Sequence, residues 1–235
     1  MMDWALAIRR NREALLRILA ALFALVGLPE DGGGPAGGPQ AATLPRHLHA
    51  HVQRILRAAE SAIRRLIVIA ARDVAVQLLP GSERLRQAFG GRDAADSPAA
   101  IRIPAFPLLD PLRTFPIDPP RRSSKSFPRI CVIGVSEPAP VPVKPLLLSD
   151  DPVDAAGLCR RLLASRRALA DLPREARRLA RWRARRRLRQ GPGRVEPLRF
   201  GRPPGGRKRP VHAVDDVLKE CHALTIDALS LPDTS

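Results

Sequence analysis

Apolar residues recur at helical spacing in two stretches near the start of the chain and in three near its end. In residues 3–28 they share one face, and from position 18 onward the stretch is apolar all round. In residues 45–79 a longer apolar stripe runs opposite a face that carries arginines. Because a period of 3.6 residues marks an amphipathic helix, the pattern predicts a mainly α protein.

The first helix, residues 3–28, has two interpretations. Its run of 11 apolar residues is shorter than the roughly 20 that cross a bilayer, which favours a helix packed in a core. The alternative is a membrane anchor, either interfacial or an uncleaved signal anchor, because arginines precede the run and acids follow it.

The second helix, residues 45–79, is the clearest in the sequence. Thr43 is its predicted N-cap, with Pro45 in the first turn, and Pro80-Gly81 ends it. A stripe of this length needs a cover, which is the first helix, a second copy of the chain or a membrane surface. The opposite, polar face is predicted to carry Arg54, Arg57, Arg64, Arg65 and Arg72.

Residues 98–152 contain 13 prolines and only short apolar runs. We interpret 91–152 as a Pro-rich linker and expect it to be disordered. Residues 129–135 are a candidate for one isolated strand, and Pro104–Pro107 and Pro142–Pro145 have the PxxP spacing of polyproline II ligands. The expected division is therefore an N-terminal helical region, 1–90, this linker, and an Arg-rich unit, 153–235.

The C-terminal unit is predicted to hold three helices, over residues 153–170, 172–189 and 214–229. Asp171 is the predicted cap of the second helix, with Pro173 in its first turn. Residues 160–209 contain 19 Lys and Arg against three acids, a net charge of +16 out of +17 for the whole chain. A basic block on a neutral scaffold is typical of proteins that bind a polyanion.

The candidate polyanion site comprises a basic helix, 177–189, and a basic loop, 201–210. Arginines surround Trp182 on the helix, a combination that binds phosphates and can stack on a base or sit at a lipid interface. Gly201-Arg202-Pro203 partly matches the AT-hook, but Phe200 stands where that motif has Arg, so a plain basic loop is favoured. The candidate residues are Arg177, Arg178, Arg181, Trp182, Arg183, Arg185, Arg186, Arg187, Arg189, Arg202, Arg207, Lys208 and Arg209.

Two other groups of residues are candidates for a metal site and for a catalytic nucleophile. His47 and His51 have the i, i+4 spacing of a metal pair, but Leu48 replaces the Glu of HExxH and no Cys is near, so we expect no metal. Cys221 and His222 are adjacent on a predicted helix and point about 100° apart, which favours a buried structural thiol over a nucleophile. No phosphate-binding glycine loop or pair of catalytic carboxylates is present.

Both ends of the chain resemble a known family. The segments MDWALAIRRNREALLRIL, TLPRHLHAHVQRILRAAESAIRRLIVIAAR and GRPPGGRKRPVHAVDDVLKECHAL are similar to a family of uncharacterised proteins from GC-rich proteobacteria. The resemblance covers about half the chain and spares the proline-rich middle. It implies no activity, cofactor or fold.

The sequence thus predicts a binding protein rather than an enzyme. Its basic C-terminal unit docks on a polyanion, a nucleic-acid backbone or an acidic surface, without reading sequence. The alternative is a membrane-associated structural or interaction protein anchored by residues 3–28, with anionic lipid as the polyanion. We expect no cofactor and no small-molecule substrate, self-association through the 45–79 helix, and a place in the bacterial cytoplasm or at the inner face of its membrane.

Overall fold

A computed structural model of the chain describes residues 3–28, 43–76, 104–112, 148–188, 194 and 196–230. Within these ranges the protein is mainly helical, which confirms the predicted fold class. Five helices and two short strands are described, in the order α1 (Trp4–Val26), β1 (Thr43–Pro45), α2 (Arg46–Ala70), β2 (Pro152–Asp154), α3 (Ala156–Ala170), α4 (Leu172–Leu188) and α5 (Ala213–Ser230).

Helix α2 lies at the centre of the fold. The other four helices all contact it, and every residue from 58 to 69 is buried. A helical stretch of this length that is buried on all sides is a core element rather than a surface helix. Its apolar stripe is therefore covered within the chain, by α1, which was one of the three predicted covers, and by the C-terminal helices.

Helix α1 packs its apolar face into this core. Leu15, Leu19, Leu22 and Phe23 are buried there, as the core-helix interpretation predicts. The Asp3 carboxylate caps the first turn by accepting from the Leu6 amide at 3.0 Å. In the parts of the chain that the structure describes, no helix combines the length and apolar character needed to cross a membrane.

The bounds of α2 differ from the predicted 45–79. Thr43 is not its N-cap, because residues 43–45 form β1, which pairs antiparallel with β2 with Thr43 opposite Asp154. The helix ends at Ala70. Just beyond it, the Arg72 amide donates a hydrogen bond to the Ile69 carbonyl, three residues back, which is the tighter pattern of a 3₁₀ turn rather than of an α-helix. Of the residues predicted to continue the helix, 71–76 are non-helical and 77–79 lie outside the described ranges.

The C-terminal helices agree closely with the prediction. Helix α3 begins at Ala156 rather than 153 because residues 152–154 pair with β1. Asp171 caps α4, since its carboxylate accepts from the Arg174 amide at 3.1 Å. Cys159 and Cys221 are buried free thiols, as expected.

Residues 104–112 of the predicted linker pack against the helices. Phe106 is 2% exposed, Leu108 is 9% exposed and Asp110 is 1% exposed. The expectation of disorder does not hold for these nine residues, because the Phe106 and Leu108 side chains belong to the core and Asp110 is buried. The strand candidate at 129–135 and the PxxP spacing at 142–145 lie outside the described residues.

The same segment carries the acid that pairs with two buried arginines. Arg64 and Arg65, predicted on an exposed face, are 4% and 0% exposed. The Asp110 carboxylate accepts from Arg64 Nη1 at 3.2 Å and from Arg65 Nη2 at 3.4 Å. Burying a guanidinium is costly unless it is paired, so these contacts hold the segment against α2.

One core therefore contains residues from all three predicted regions. Side chains of α1 and α2, of residues 104–112 and of α3, α4 and α5 belong to the same buried cluster. The predicted boundaries at 90 and 152 do not separate two cores within the described residues. The basic unit is instead built onto α2.

We expect the substitution Asp110→Asn to lower the free energy of unfolding by about 3–5 kcal/mol, because it leaves buried guanidinium charge unpaired. Urea denaturation followed by circular dichroism measures this change. The exposed Asp227 provides the matched control, and Asp227→Asn should change the same free energy by less than about 0.5 kcal/mol. Equal losses for the two variants would show that the Asp110 pairing does not stabilise the fold.

Candidate polyanion-binding surface

Helix α4 presents two different faces. Leu172, Ala176, Leu179 and Ala180 are buried, and the helix packs against α2. Its only acid, Glu175, is on the buried side, and its carboxylate accepts from Arg178 Nη1 at 2.5 Å. The outward face of α4 is therefore left without an acid of its own helix.

Four arginines follow one another along that outward face, and we call them the arginine stripe. Arg174, Arg177 and Arg181 are exposed and Arg185 is half-buried. Their spacings of three, four and four residues place them on one side of the helix. At 1.5 Å per residue the stripe is about 17 Å long.

Arg174 was missed by the sequence analysis, which began the basic helix at Arg177. Its signal was present, because it stands three residues before Arg177 and so shares that residue's face.

Two of the predicted binding residues face inward. Arg178, besides pairing with Glu175, donates from Nη2 to the carbonyl of Phe106. Burial lowers the pKa of Arg183, against the opposing charge of Glu196. The Arg178 guanidinium is thus engaged in the fold and the Arg183 guanidinium is partly desolvated, which makes both poorer candidates for a ligand contact.

The remaining predicted residues of α4 vary in exposure. Trp182 is half-buried and packs against the core, so its ring is not a free stacking surface. Arg186 is half-buried and Arg187 is exposed. Arg189 lies outside the described residues.

A cleft of about 450 Å³ separates the end of α4 from the residues that follow α2. Arg183 and Arg187 line it on one side and residues 71–76 on the other. The Arg72 guanidinium lies 5.2 Å from the centre of the Trp4 ring, and its Nε is 3.2 Å from a carboxylate oxygen of Asp73. Of the three arginines that line the cleft, Arg72 therefore has contacts within the fold.

The basic loop packs on a different stretch of α2. Pro203 and Pro204 are buried, and Gly205 has φ +81 and lies directly over Ala58. A Gly-Arg-Pro segment whose Pro203 is buried in the fold is not a free minor-groove arm, which favours the basic-loop interpretation. The loop cations, all exposed, are Arg202, Arg207, Lys208 and Arg209.

The structure therefore does not bring the predicted site residues into one patch. The loop sits over Ala58, whereas the end of α4 lies beside Ala71. These two positions are about 20 Å apart along α2. The basic loop and the C-terminal end of α4 therefore lie at different positions along α2.

His47 and His51, the candidate pair of metal ligands, contact different residues. His47 Nδ1 lies 3.0 Å from the Ser149 carbonyl, and the His51 ring meets the His212 ring edge-on at 5.5 Å between centres. Among the described residues, no group of three or more His, Cys, Asp or Glu is placed to hold a metal ion.

Cys221 and His222 do not form a nucleophile and base. Burial raises the pKa of the Cys221 thiol to about 12. His222 Nδ1 faces Arg65 Nε at 3.4 Å instead, and burial together with that positive charge lowers the pKa of the imidazole. The thiol stays protonated at neutral pH, which supports the structural interpretation.

Comparison with protein-family models, with curated proteins and with solved structures finds no match for this chain. The resemblance of its two ends to a proteobacterial family therefore stays a prediction. Its function has to be inferred from its own residues and their arrangement.

We expect Gly205→Ala to destabilise the protein more than Gly201→Ala. Both glycines have positive φ, +81 and +75, so each substitution carries backbone strain of about 1–2 kcal/mol. Only at Gly205 would the new methyl group also meet backbone atoms, 2.8 Å from the Ala58 nitrogen. Thermal unfolding of both variants measures the difference, and equal losses would show that the loop does not pack on α2.

We expect Cys221 to resist thiol reagents in the folded protein, because with a pKa of about 12 only about 10⁻⁴ of it is thiolate at pH 8. Counting reacted thiols with Ellman's reagent in a Cys131→Ser, Cys159→Ser background isolates this one thiol. Native protein should give no fast reaction, and protein unfolded in guanidinium should give one thiol. Rapid reaction in the native state would contradict the buried thiol.

Proposed function

We propose that the protein binds the phosphate backbone of a nucleic acid through the arginine stripe of α4, without reading base sequence. The observation that carries this proposal is the run of Arg174, Arg177, Arg181 and Arg185 along a helix face whose only helical acid, Glu175, is buried and paired. Unneutralised arginines on a rigid helix form a positive surface directed outward.

The chemistry of the stripe suits phosphate. Each guanidinium offers a planar set of donors that pairs bidentately with phosphate oxygens and stays charged at any physiological pH. A stripe of about 17 Å runs beside roughly five phosphates of one duplex strand, which are about 3.4 Å apart along the helix axis. Since Trp182 packs against the core, the binding free energy comes from phosphate neutralisation rather than base stacking.

The loop cations supply a second contact on the same class of ligand. Arg202, Arg207, Lys208 and Arg209 are exposed, and the loop is fixed to α2 through the close approach of Gly205 to Ala58. Two separate basic surfaces on one fold suit a long polyanion better than a small one, because a single chain of phosphates can touch both.

The membrane-anchor alternative has less support from the fold. Its anchor, residues 3–28, forms a helix whose apolar face is used by the core through Leu15, Leu19 and Phe23. Entering a lipid surface by that face would require the helix to leave α2.

We expect the triple variant Arg177→Gln, Arg181→Gln, Arg185→Gln to lose affinity for a short fluorescein-labelled DNA duplex. Fluorescence anisotropy at a series of salt concentrations measures both affinity and salt dependence. The slope of log K against log salt is negative. Each lost phosphate contact reduces its magnitude by about 0.9, so three lost contacts reduce it by about 2.7.

The control variant removes three exposed arginines from elsewhere, Arg9→Gln, Arg17→Gln and Arg160→Gln. It has the same net charge as the triple variant, so a general charge effect would weaken both equally. The proposal predicts a slope near that of the unmodified protein for the control. Equal slopes for the two variants, or affinity that does not depend on salt, would refute it.

A further inference from the structure

Phe200, directly before the basic loop, is the most exposed large apolar side chain in the part of the chain that the structure describes. Solvent reaches 91% of its surface. Among residues 196–206, all of which are described, it is the one exposed apolar side chain. A protein or lipid partner covers an apolar patch built from several side chains. Here a single aromatic ring is presented instead.

The turn that carries this ring is fixed by hydrogen bonds and by packing. The Arg199 side chain donates from Nε and from Nη2 to the Arg202 carbonyl, at 3.1 and 2.9 Å. Gly201, inside the turn, has φ +75, a backbone conformation that glycine adopts without steric cost. On either side of the turn, Leu198 packs against the core and Pro203 is buried. The ring is therefore displayed on a turn whose two ends are anchored in the fold.

The loop that follows Phe200 is positively charged and has no acid of its own, because residues 197–214 contain no Asp or Glu. The first acid after them, Asp215, is buried, and its carboxylate accepts from two backbone amides at 2.9 and 3.1 Å. The charge of the acid before them, Glu196, acts on Arg183 of α4. The loop cations thus face solvent without an acid from their own segment, in the same loop as the exposed ring.

An exposed aromatic ring in a basic loop matches the chemistry of an unpaired nucleotide. The flat ring stacks on the face of a base, and guanidinium and ammonium groups pair with the adjoining phosphates. In a duplex each base is paired and stacked on its neighbours, and unstacking it costs free energy. A single strand offers its base faces without that cost. Stacking accepts any base, so this contact agrees with binding that does not read sequence.

We propose that Phe200 stacks on an unpaired base of a single-stranded nucleic acid whose phosphates lie on the loop cations. This inference rests on the proposed function, which takes the polyanion to be a nucleic acid, and it adds a preference for single strands at the loop. Trp182, the one aromatic residue of α4, packs against the core. The arginine stripe therefore binds phosphate alone, and the loop supplies the stacking contact.

The test compares an oligothymidine single strand with a strand of the same length in which every base is missing. Both strands carry the same phosphates, so only the first offers a surface to the ring. Each is labelled with fluorescein, and anisotropy measures its affinity for the full-length protein and for the Phe200→Ala variant. Leu229→Ala, which removes an exposed apolar side chain from the far end of α5, is the matched control. Circular dichroism checks that both variants keep the unmodified fold.

Phe200→Ala should weaken binding of the oligothymidine strand by about 5- to 150-fold, the range for the loss of one stacked base. Its affinity for the abasic strand and for a duplex, and the affinity of Leu229→Ala for all three, should stay within about twofold of the unmodified protein. Phe200→Leu should also weaken oligothymidine binding, because leucine keeps apolar area but has no flat ring. Phe200→Trp should retain the affinity, and the new indole should lose fluorescence when the strand with bases is added.

Equal weakening of the two strands by Phe200→Ala, or no weakening of either, would show that the ring does not stack, although the phosphate contacts of the proposed function would stand. If the unmodified protein binds neither strand nor duplex, both proposals are wrong. Vesicles of phosphatidylserine and phosphatidylcholine test anionic lipid as the ligand. If Phe200→Ala releases the protein from these vesicles but not from oligothymidine, the ring enters lipid and the stacking proposal is wrong.

Discussion

The fold depends on how the charge of Arg65 is compensated. Its side chain has no exposed surface, and its one carboxylate partner, Asp110, lies 45 residues further along the chain. A buried guanidinium without a partner costs several kcal/mol, so α2 can occupy the centre only when residues 104–112 lie beside it. Arg194 and the Arg199 amide bond the same aspartate, which draws the loop after α4 into the same arrangement.

This constraint also explains the organisation of the basic surfaces. Arg178 turns inward because the Phe106 carbonyl and Glu175 are there to accept from it. The arginine stripe lies on the outward face of α4, which has no acid of its own helix. The position of the Arg178 side chain therefore follows from the path of the proline-rich segment across α4.

The elements that local physics determines could be predicted from the sequence. The helical period of α1, the capping of α4 by Asp171 and the extent of α5 all depend on residues within one or two turns of each other. The mainly α class follows from them. The basic character of α4 was equally visible, although the outward position of Arg174 required the helix face to be considered.

The features that depend on contacts between residues far apart in the sequence could not be predicted. Periodicity placed Arg64 and Arg65 on an exposed face, because nothing near them in sequence reveals an acid from residue 110. The composition of 98–152 indicated disorder and concealed the alternation of Phe106, Leu108 and Asp110, which is the local sign that this segment packs on one side. Likewise β1 depends on a partner, β2, more than 100 residues away, and it displaced the predicted cap at Thr43.

Hydrogen exchange of a single backbone amide tests the pairing of Asp110 most directly. The Asp110 amide donates to the Pro197 carbonyl at 2.9 Å, within the buried site where the carboxylate meets Arg64 and Arg65. Measured by NMR, this amide should exchange as slowly as the amides of the buried middle of α2. Exchange at the rate of an unstructured peptide would contradict the central claim that the proline-rich segment is part of the core.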